Sequence, residues 1–253
     1  IVDYLVEEVL QRQPISVRSF LIQTSILDRL NGPLCDAVTG QSDSSAQLAA
    51  LQRGNFFVVP LDDKRHWYRY HHLFAEVLHL HLIAEEPDQV PVLHRRASEW
   101  YEHNGSPADA IRHALAGDDF ERAANMIERI FPTMSQKRQE TILLGWLKAL
   151  PEALIRERPV LCNFYAGVLM QTGEIQVVET WLLAAERWLT LTDNGPEWLG
   201  IESERKVIAD QEEFRRLPGA IAVHRAGLAL VLGNVAGTME YAKQALTLAP
   251  EDD

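Results

Sequence analysis

The stretch Asn55–Leu82, NFFVVPLDDKRHWYRYHHLFAEVLHLHL, constrains the fold more than any other part of the chain. Phe56 to Leu61 is an apolar run rich in β-branched and aromatic residues, Asp62 to His66 is polar, and Trp67 to Tyr70 returns to large rings. Two strand-like runs around a short polar loop predict a β-hairpin. From His71 the period turns helical, because Leu73, Phe74, Val77, Leu78 and His81 recur at three- and four-residue steps. The chain is therefore expected to pass from strand to strand to helix without a break.

Upstream of the hairpin the pattern is short helices. Tyr4–Leu10 is amphipathic and closes before Pro14. Ser16 can cap a second helix with a stripe of Val17, Phe20, Leu21, Ile26 and Leu27, ended by Asn31-Gly32-Pro33. Pro33–Val38 gives a third, closed by Gly40; Ser44 or Ser45 caps a fourth carrying Leu48 and Leu51, ended by Gly54. Small helices followed by a two-stranded wing make a winged-helix unit, assigned to residues 1–86. A winged helix invites a DNA-binding reading, which its own residues oppose. The helix before the hairpin, SSAQLAALQR, offers one cation, Arg53, at its far end, and the wing tip Asp62-Asp63-Lys64-Arg65 is charge-balanced. Base readout needs several side chains from the early turns, backed by cations on phosphates. The formal net charge is -12, which repels a polyanion. The expected DNA-binding residues are none, and a protein-facing or nucleotide-facing role is expected.

The acidic, Pro87-bearing linker Ala84–Gln89 marks a boundary, and residues 87–253 read as helix after helix. Pro91–Asn104 turns at Gly105 into Pro107–Ala116, behind Ser106; a helix from Asp118 or Asp119 runs to Ile130 and ends at Pro132; Lys137–Leu150 presents Ile142, Leu143, Trp146, Leu147 and Leu150 on one face. Ala166, Gly173 and Ala185 recur as Ala226, Gly233 and Ala245, all shifted by 60 positions. Thr192–Ile208, with Asp193-Asn194-Gly195-Pro196, reads as an irregular connection or a distorted helix. A shift of 60 is not two whole tetratricopeptide (TPR) units of about 34 residues, so the repeats are TPR-like. The fold class is mainly α: a winged-helix domain with one β-hairpin, then a TPR-like α-helical solenoid. Stacked hairpins of this kind generate grooves for ligands or proteins. Trp181, Trp188 and Trp198 could line one, although the seven-residue spacing of Trp181 and Trp188 favours filling of the seam between helices.

Catalytic chemistry has little foothold. Cys35 and Cys162 lie far apart in apolar surroundings, as buried reduced thiols would. His71, His72, His79 and His81 crowd one segment without carboxylate or thiol partners, so no metal site is expected. No G-x-S-x-G elbow and no G-x-x-x-x-G-K-[ST] phosphate loop occurs, so no catalytic residue is assigned and the chain is not expected to be an enzyme. The acids Glu202, Glu204, Asp210, Glu212 and Glu213 read as solvated helix faces. No apolar run reaches membrane-spanning length and no signal peptide is visible, which predicts a cytoplasmic protein with no membrane partner. A start without Met and a stop at Glu251-Asp252-Asp253 suggest a piece of a larger protein.

The segment WYRYHHLFAEVL, with LHRRASEWYEHNGSPADAIRHALAGDDFERAA after it, resembles the winged-helix region and first repeats of the MalT-like, LuxR-type large ATP-dependent transcription activators of the STAND class. The strongest motif is Tyr70 to Phe74; the second is the turn Gly105 to Ile111. The resemblance implies that His71, at the opening of the last winged-helix helix, reaches the phosphates of ADP and holds the resting state closed. The family's flanking Met and Asp are Tyr70 and His72 here, so only the central His carries over. A ring nitrogen beside unpaired helix N-terminal donors suits an anion; the alternative is a His packed against the wing. The resemblance further implies no cofactor in this piece but ATP or ADP in the parent, an upstream nucleotide-binding domain, a small-molecule inducer or regulatory protein on the repeats, and self-association on activation. The competing expectation is a TPR-like protein–protein interaction scaffold with no nucleotide link.

Overall fold

The computed structural model describes residues 10–192, 195–198 and 211–249. They fall into two compact units, Ile1–Asp119 and Phe120–Asp253. The helix expected at Tyr4–Leu10 lies outside the described residues except for Leu10, which is buried.

In the first unit, α1 (Ile15–Thr24), α2 (Gly32–Thr39) and α3 (Ser44–Arg53) precede the hairpin of β1 (Val58–Pro60) and β2 (Tyr68–Tyr70). Three local expectations are corrected here. Pro14, not Ser16, occupies the N-cap of α1, and the helix stops at Thr24, so Ile26 and Leu27 are buried from the segment beyond it. Asn31 does not end a helix but starts one: its side-chain oxygen accepts from the Leu34 amide at 2.7 Å, while Gly32 and Pro33 open α2. The first strand begins at Val58 rather than Phe56, because Asn55 and Phe57 sit in the left-handed region, which interrupts extended backbone. Antiparallel pairing sets Val58 opposite Tyr70 and Pro60 opposite Tyr68. On its other edge β2 exchanges two 2.8 Å bonds with Leu30, a pairing with no signature in the local pattern.

The helix that follows, α4 (His72–Glu85), buries Phe74, Val77, Leu78 and Leu82. Leu82 completes the face; Leu73 lies on the solvent side. Only Glu86 to Asp88 interrupts the helical run before α5 (Gln89–His103), which pairs with α6 (Pro107–Ala116) and lies against α2. Arg96 donates to the Val38 carbonyl at 2.9 Å, and Arg112 meets Asp28 at 2.9 Å.

The second unit opens with α7 (Phe120–Gln136), α8 (Glu140–Ala149) and the short α9 (Glu152–Arg156). Pro132 was expected to end α7, yet the helix continues through it to Gln136. Burial of Phe131 and Met134, with Phe131 stacked on Phe164 at 3.9 Å, offsets the amide that proline lacks. On α8 only Leu143 and Leu147 are buried, so Ile142 and Trp146 lie off the inner face.

Two helical hairpins complete the unit: α10 (Pro159–Thr172) with α11 (Val178–Glu186), and α12 (Gln211–Val231) with α13 (Val235–Leu248). The 60-residue repeat is visible at their turns. Gly173 and Gly233 adopt φ of 85° and 74°. The amide of Glu174 donates to Leu169 as that of Asn234 donates to Ala229. A non-glycine residue would be strained at either turn. Of the span Thr192–Ile208, expected as an irregular connection or distorted helix, the described residues are strand: Thr192 closes β3 (Leu189–Thr192), which pairs antiparallel with β4 (Gly195–Trp198), and 193–194 and 199–208 lie outside the described residues. The Leu-Thr-Leu-Thr alternation is the sequence signal for β3. Trp181 is buried under Tyr165, and the Trp188 indole donates to the Arg156 carbonyl at 3.3 Å, so both fill seams between helices. The Trp198 side chain and the acids Glu202, Glu204 and Asp210 lie outside the described residues.

Candidate functional site

The placement of His71 follows from the alternation of β2. Tyr68 and Tyr70 point inward and Arg69 outward, so the next position turns out of the core. Tyr70 is locked by a 2.6 Å hydrogen bond between its hydroxyl and Thr24 Oγ1 and by an edge contact with Phe74, and burial pushes its phenol up. The His71 amide donates to the Phe57 carbonyl at 2.8 Å, and its own carbonyl accepts from the Ala75 amide at 3.0 Å. His71 thus occupies the N-cap of α4 with an extended backbone and an exposed ring, 4.6 Å from the ring of His72. Its side chain makes no capping bond to the helix, and the first turn of α4 carries no acid. An outward imidazole edge beside helix amides is chemically able to meet an anion. Of the other clustered histidines, His72 is exposed, His81 pairs with Glu85 at 2.9 Å, and His79 holds a buried Nδ1 that has no partner among the described residues.

The wing tip is organised by Asp62, whose carboxylate accepts the amides of His66 and Trp67 at 3.1 and 2.7 Å, lowering its pKa. Beside the wing a cavity of about 390 Å³ is lined by Asn31, Ser45, Arg65, His66 and Trp67, and His71 does not contribute to it. Arg53 spends its Nε on the Ala49 carbonyl of its own helix.

Sequence reasoning passed over a buried polar cluster in the same unit. His94 of α5 and His113 of α6 are joined through their Nδ1 atoms at 2.9 Å, and Tyr101 stacks on His113. Arg112 Nη2 lies 3.4 Å from His113 Nε2. A guanidinium can only donate, so that Nε2 accepts, the His113 proton sits on Nδ1, and His94 Nδ1 is the acceptor. Burial lowers the pKa of His94 to about 4 and that of His113 to about 3. Both are neutral near pH 7. The signal available in the sequence was a histidine on each helix of one hairpin, His94 and His113 in LHRRASEWYEHNGSPADAIRH, with His103 between them.

Two buried arginines were also missed. Arg158, at the head of α10, donates to Asn125 at 2.8 Å, to Glu128 at 3.4 Å and to Glu121 at 2.5 Å. Arg225 of α12 grips both oxygens of Glu186 at 2.7 Å and reaches Glu179 at 2.5 Å. Cys35 and Cys162 are free and buried, and burial raises both thiols, Cys162 to about 12, far from a reactive thiolate. No helix among the described residues is long and apolar enough to cross a membrane.

Residues 6–90 match the MalT winged helix domain family. The HTH-type transcriptional regulator MalT of Klebsiella pneumoniae is 30% identical over 254 residues, covering 97% of this chain and 28% of that protein. The serine/threonine-protein kinase PknK of Mycobacterium tuberculosis is 33% identical over 191 residues, covering 73% of this chain and 17% of that protein. The chain thus spans less than a third of the length of either relative. A wing delivering an exposed His to the head of a long helix, followed by helical hairpins, sits within likeness that runs along nearly the whole sequence, and the chain belongs to the MalT-like family.

Proposed function

We propose that this chain is the regulatory portion of a MalT-type, ATP-dependent transcriptional regulator of the STAND class. The winged helix reports the nucleotide state of an upstream nucleotide-binding domain, and the TPR-like hairpins sense a small-molecule inducer or a regulatory protein. ATP or ADP is bound in the parent protein, not hydrolysed by this piece, which has no phosphate-binding loop. Nucleotide and inducer favour different states, and the shift in population releases the cytoplasmic activator to self-associate. DNA contact belongs to another part of the parent protein.

The observation that carries this reading is the exposed ring of His71 at the N-cap of α4, anchored through its backbone to Phe57. In the intact protein, His71→Ala is expected to loosen retained ADP and to raise basal transcription. Unchanged nucleotide retention together with unchanged basal transcription would retire the assignment. The second reading, an interaction scaffold with no nucleotide link, is favoured by the exposed Leu230, Met239 and Leu246 on the last hairpin. Absence of any nucleotide in the purified intact protein would favour that scaffold.

A further inference from the structure

The last hairpin contains a local contradiction. Pro218 and Gly219 are adjacent in the interior of α12, the two residue types least suited to a helix interior. Where a sequence breaks a local rule without an evident structural gain, a functional constraint is the first explanation to test. Pro218 faces a cavity of about 310 Å³ formed by α12, α13 and the segment ending α11. That volume is enough for a small organic molecule.

Its walls define the guest. Leu189, Pro218, Ile221 and Ala222 supply an apolar side. Arg225 and Glu186 supply a charged side, and Arg225 is more than nine-tenths buried. Three of its donors are already committed, two to Glu186 and one to Glu179. Two carboxylates against one guanidinium leave the site with one excess negative charge, so an anionic guest would be repelled. Each Glu186 oxygen accepts one bond from Arg225 and retains a lone pair for a second donor. From α13, Tyr241 adds a ring and Gln244 an amide oxygen, both suited to an ammonium group.

We propose that this cavity binds a small organic amine, its protonated nitrogen received by Glu186 and its apolar body lying against Pro218, Ile221 and Ala222. As a sensor pocket it rests on the regulatory reading above; as a binding site it does not. Amine binding without a transcriptional response would therefore remove only the former.

The test uses the 253-residue chain and three probes on one phenylethyl frame: 2-phenylethylamine, 2-phenylethanol and 3-phenylpropionate. Amide NMR titration at pH 7 is expected to show saturable shifts for residues 218–225 and 241–244 with the amine. Affinity for the alcohol is expected to be at least tenfold lower, with none for the acid. Gln244→Arg, a rim substitution at an exposed position, should weaken amine binding at least tenfold while leaving the circular dichroism spectrum unchanged. Ala222→Phe, which fills the cavity, should abolish it. No saturable shift with any probe, equal binding of the alcohol or the acid, or undiminished amine binding by folded Gln244→Arg protein would each overturn the proposal.

Discussion

The hairpins α10–α11 and α12–α13 share a turn and a 60-residue shift, yet one is covered and the other is not. Every residue of α10 from Pro159 to Leu169 is buried. The helix is gripped on one side by α12, where His224 bonds to Asn163 at 2.8 Å and closes on Gly167. On α11, Glu179 and Glu186 hold Arg225. Shifted by 60, Asn163, Glu179 and Glu186 become Val223, Met239 and Leu246, which are 57%, 58% and 78% exposed. The same template is polar where a partner hairpin docks through hydrogen bonds and apolar where none of the described residues reaches. Repetition therefore sets the backbone of each hairpin, while the side chains of the docking face are chosen separately.

The largest expected contrast concerns the two arginines. Arg158→Met removes the guanidinium beside Glu128, a carboxylate only 2% exposed, and should lower the free energy of unfolding by about 3–5 kcal/mol. Arg225→Met releases carboxylates that are 34% and 51% exposed, which water can serve, and should cost about 1 kcal/mol. Urea unfolding of both variants decides it; equal losses would mean that both hairpins are held in the same way.

Acid should act next on the joint between the hairpins. Burial lowers the His224 pKa from 6.5 to about 4. Above pH 6.5 the ring is neutral in folded and unfolded chains and its contribution is intact. Between pH 6.5 and 4 the unfolded chain takes up the proton first, so stability falls, by up to about 3 kcal/mol at the lower end. His94 and His113 add a slope of the same sign in the other unit. His224→Gln keeps a donor for Asn163 and should flatten the His224 part of the profile. Identical acid profiles for variant and wild type would show that this ring does not couple α12 to α10.

The smallest effect tests the shared turn. A Cβ at Gly173 or Gly233 would meet nothing within 4 Å, so the penalty is purely the left-handed backbone. Gly173→Ala and Gly233→Ala should each cost about 1 kcal/mol. A large inequality in thermal melts would deny that the turns are equivalent.

Much of this was legible because it is local. The period change at His71, the left-handed glycines and the helix start at Pro107 are encoded within a few residues of where they act. What escaped was non-local. Nothing near Tyr68 announces that its second edge will meet Leu30, and nothing near Arg158 or Arg225 says which carboxylates will close around them. Pro132 misled for the same reason, since the stacking of Phe131 on Phe164 spans 33 residues of chain. For the candidate site, the motif located His71, but its outward direction depends on Tyr70 finding Thr24, 46 residues away.

The double bonding of β2 has one last consequence. A strand held by β1 on one side and pinned at Tyr68 by Leu30 on the other is fixed in register. Moving it by a single position would drive the Arg69 guanidinium into hydrocarbon and send the imidazole of His71 to the opposite side. The histidine's address is therefore all-or-nothing: a partner feels it where it stands, or only after the whole wing has come apart.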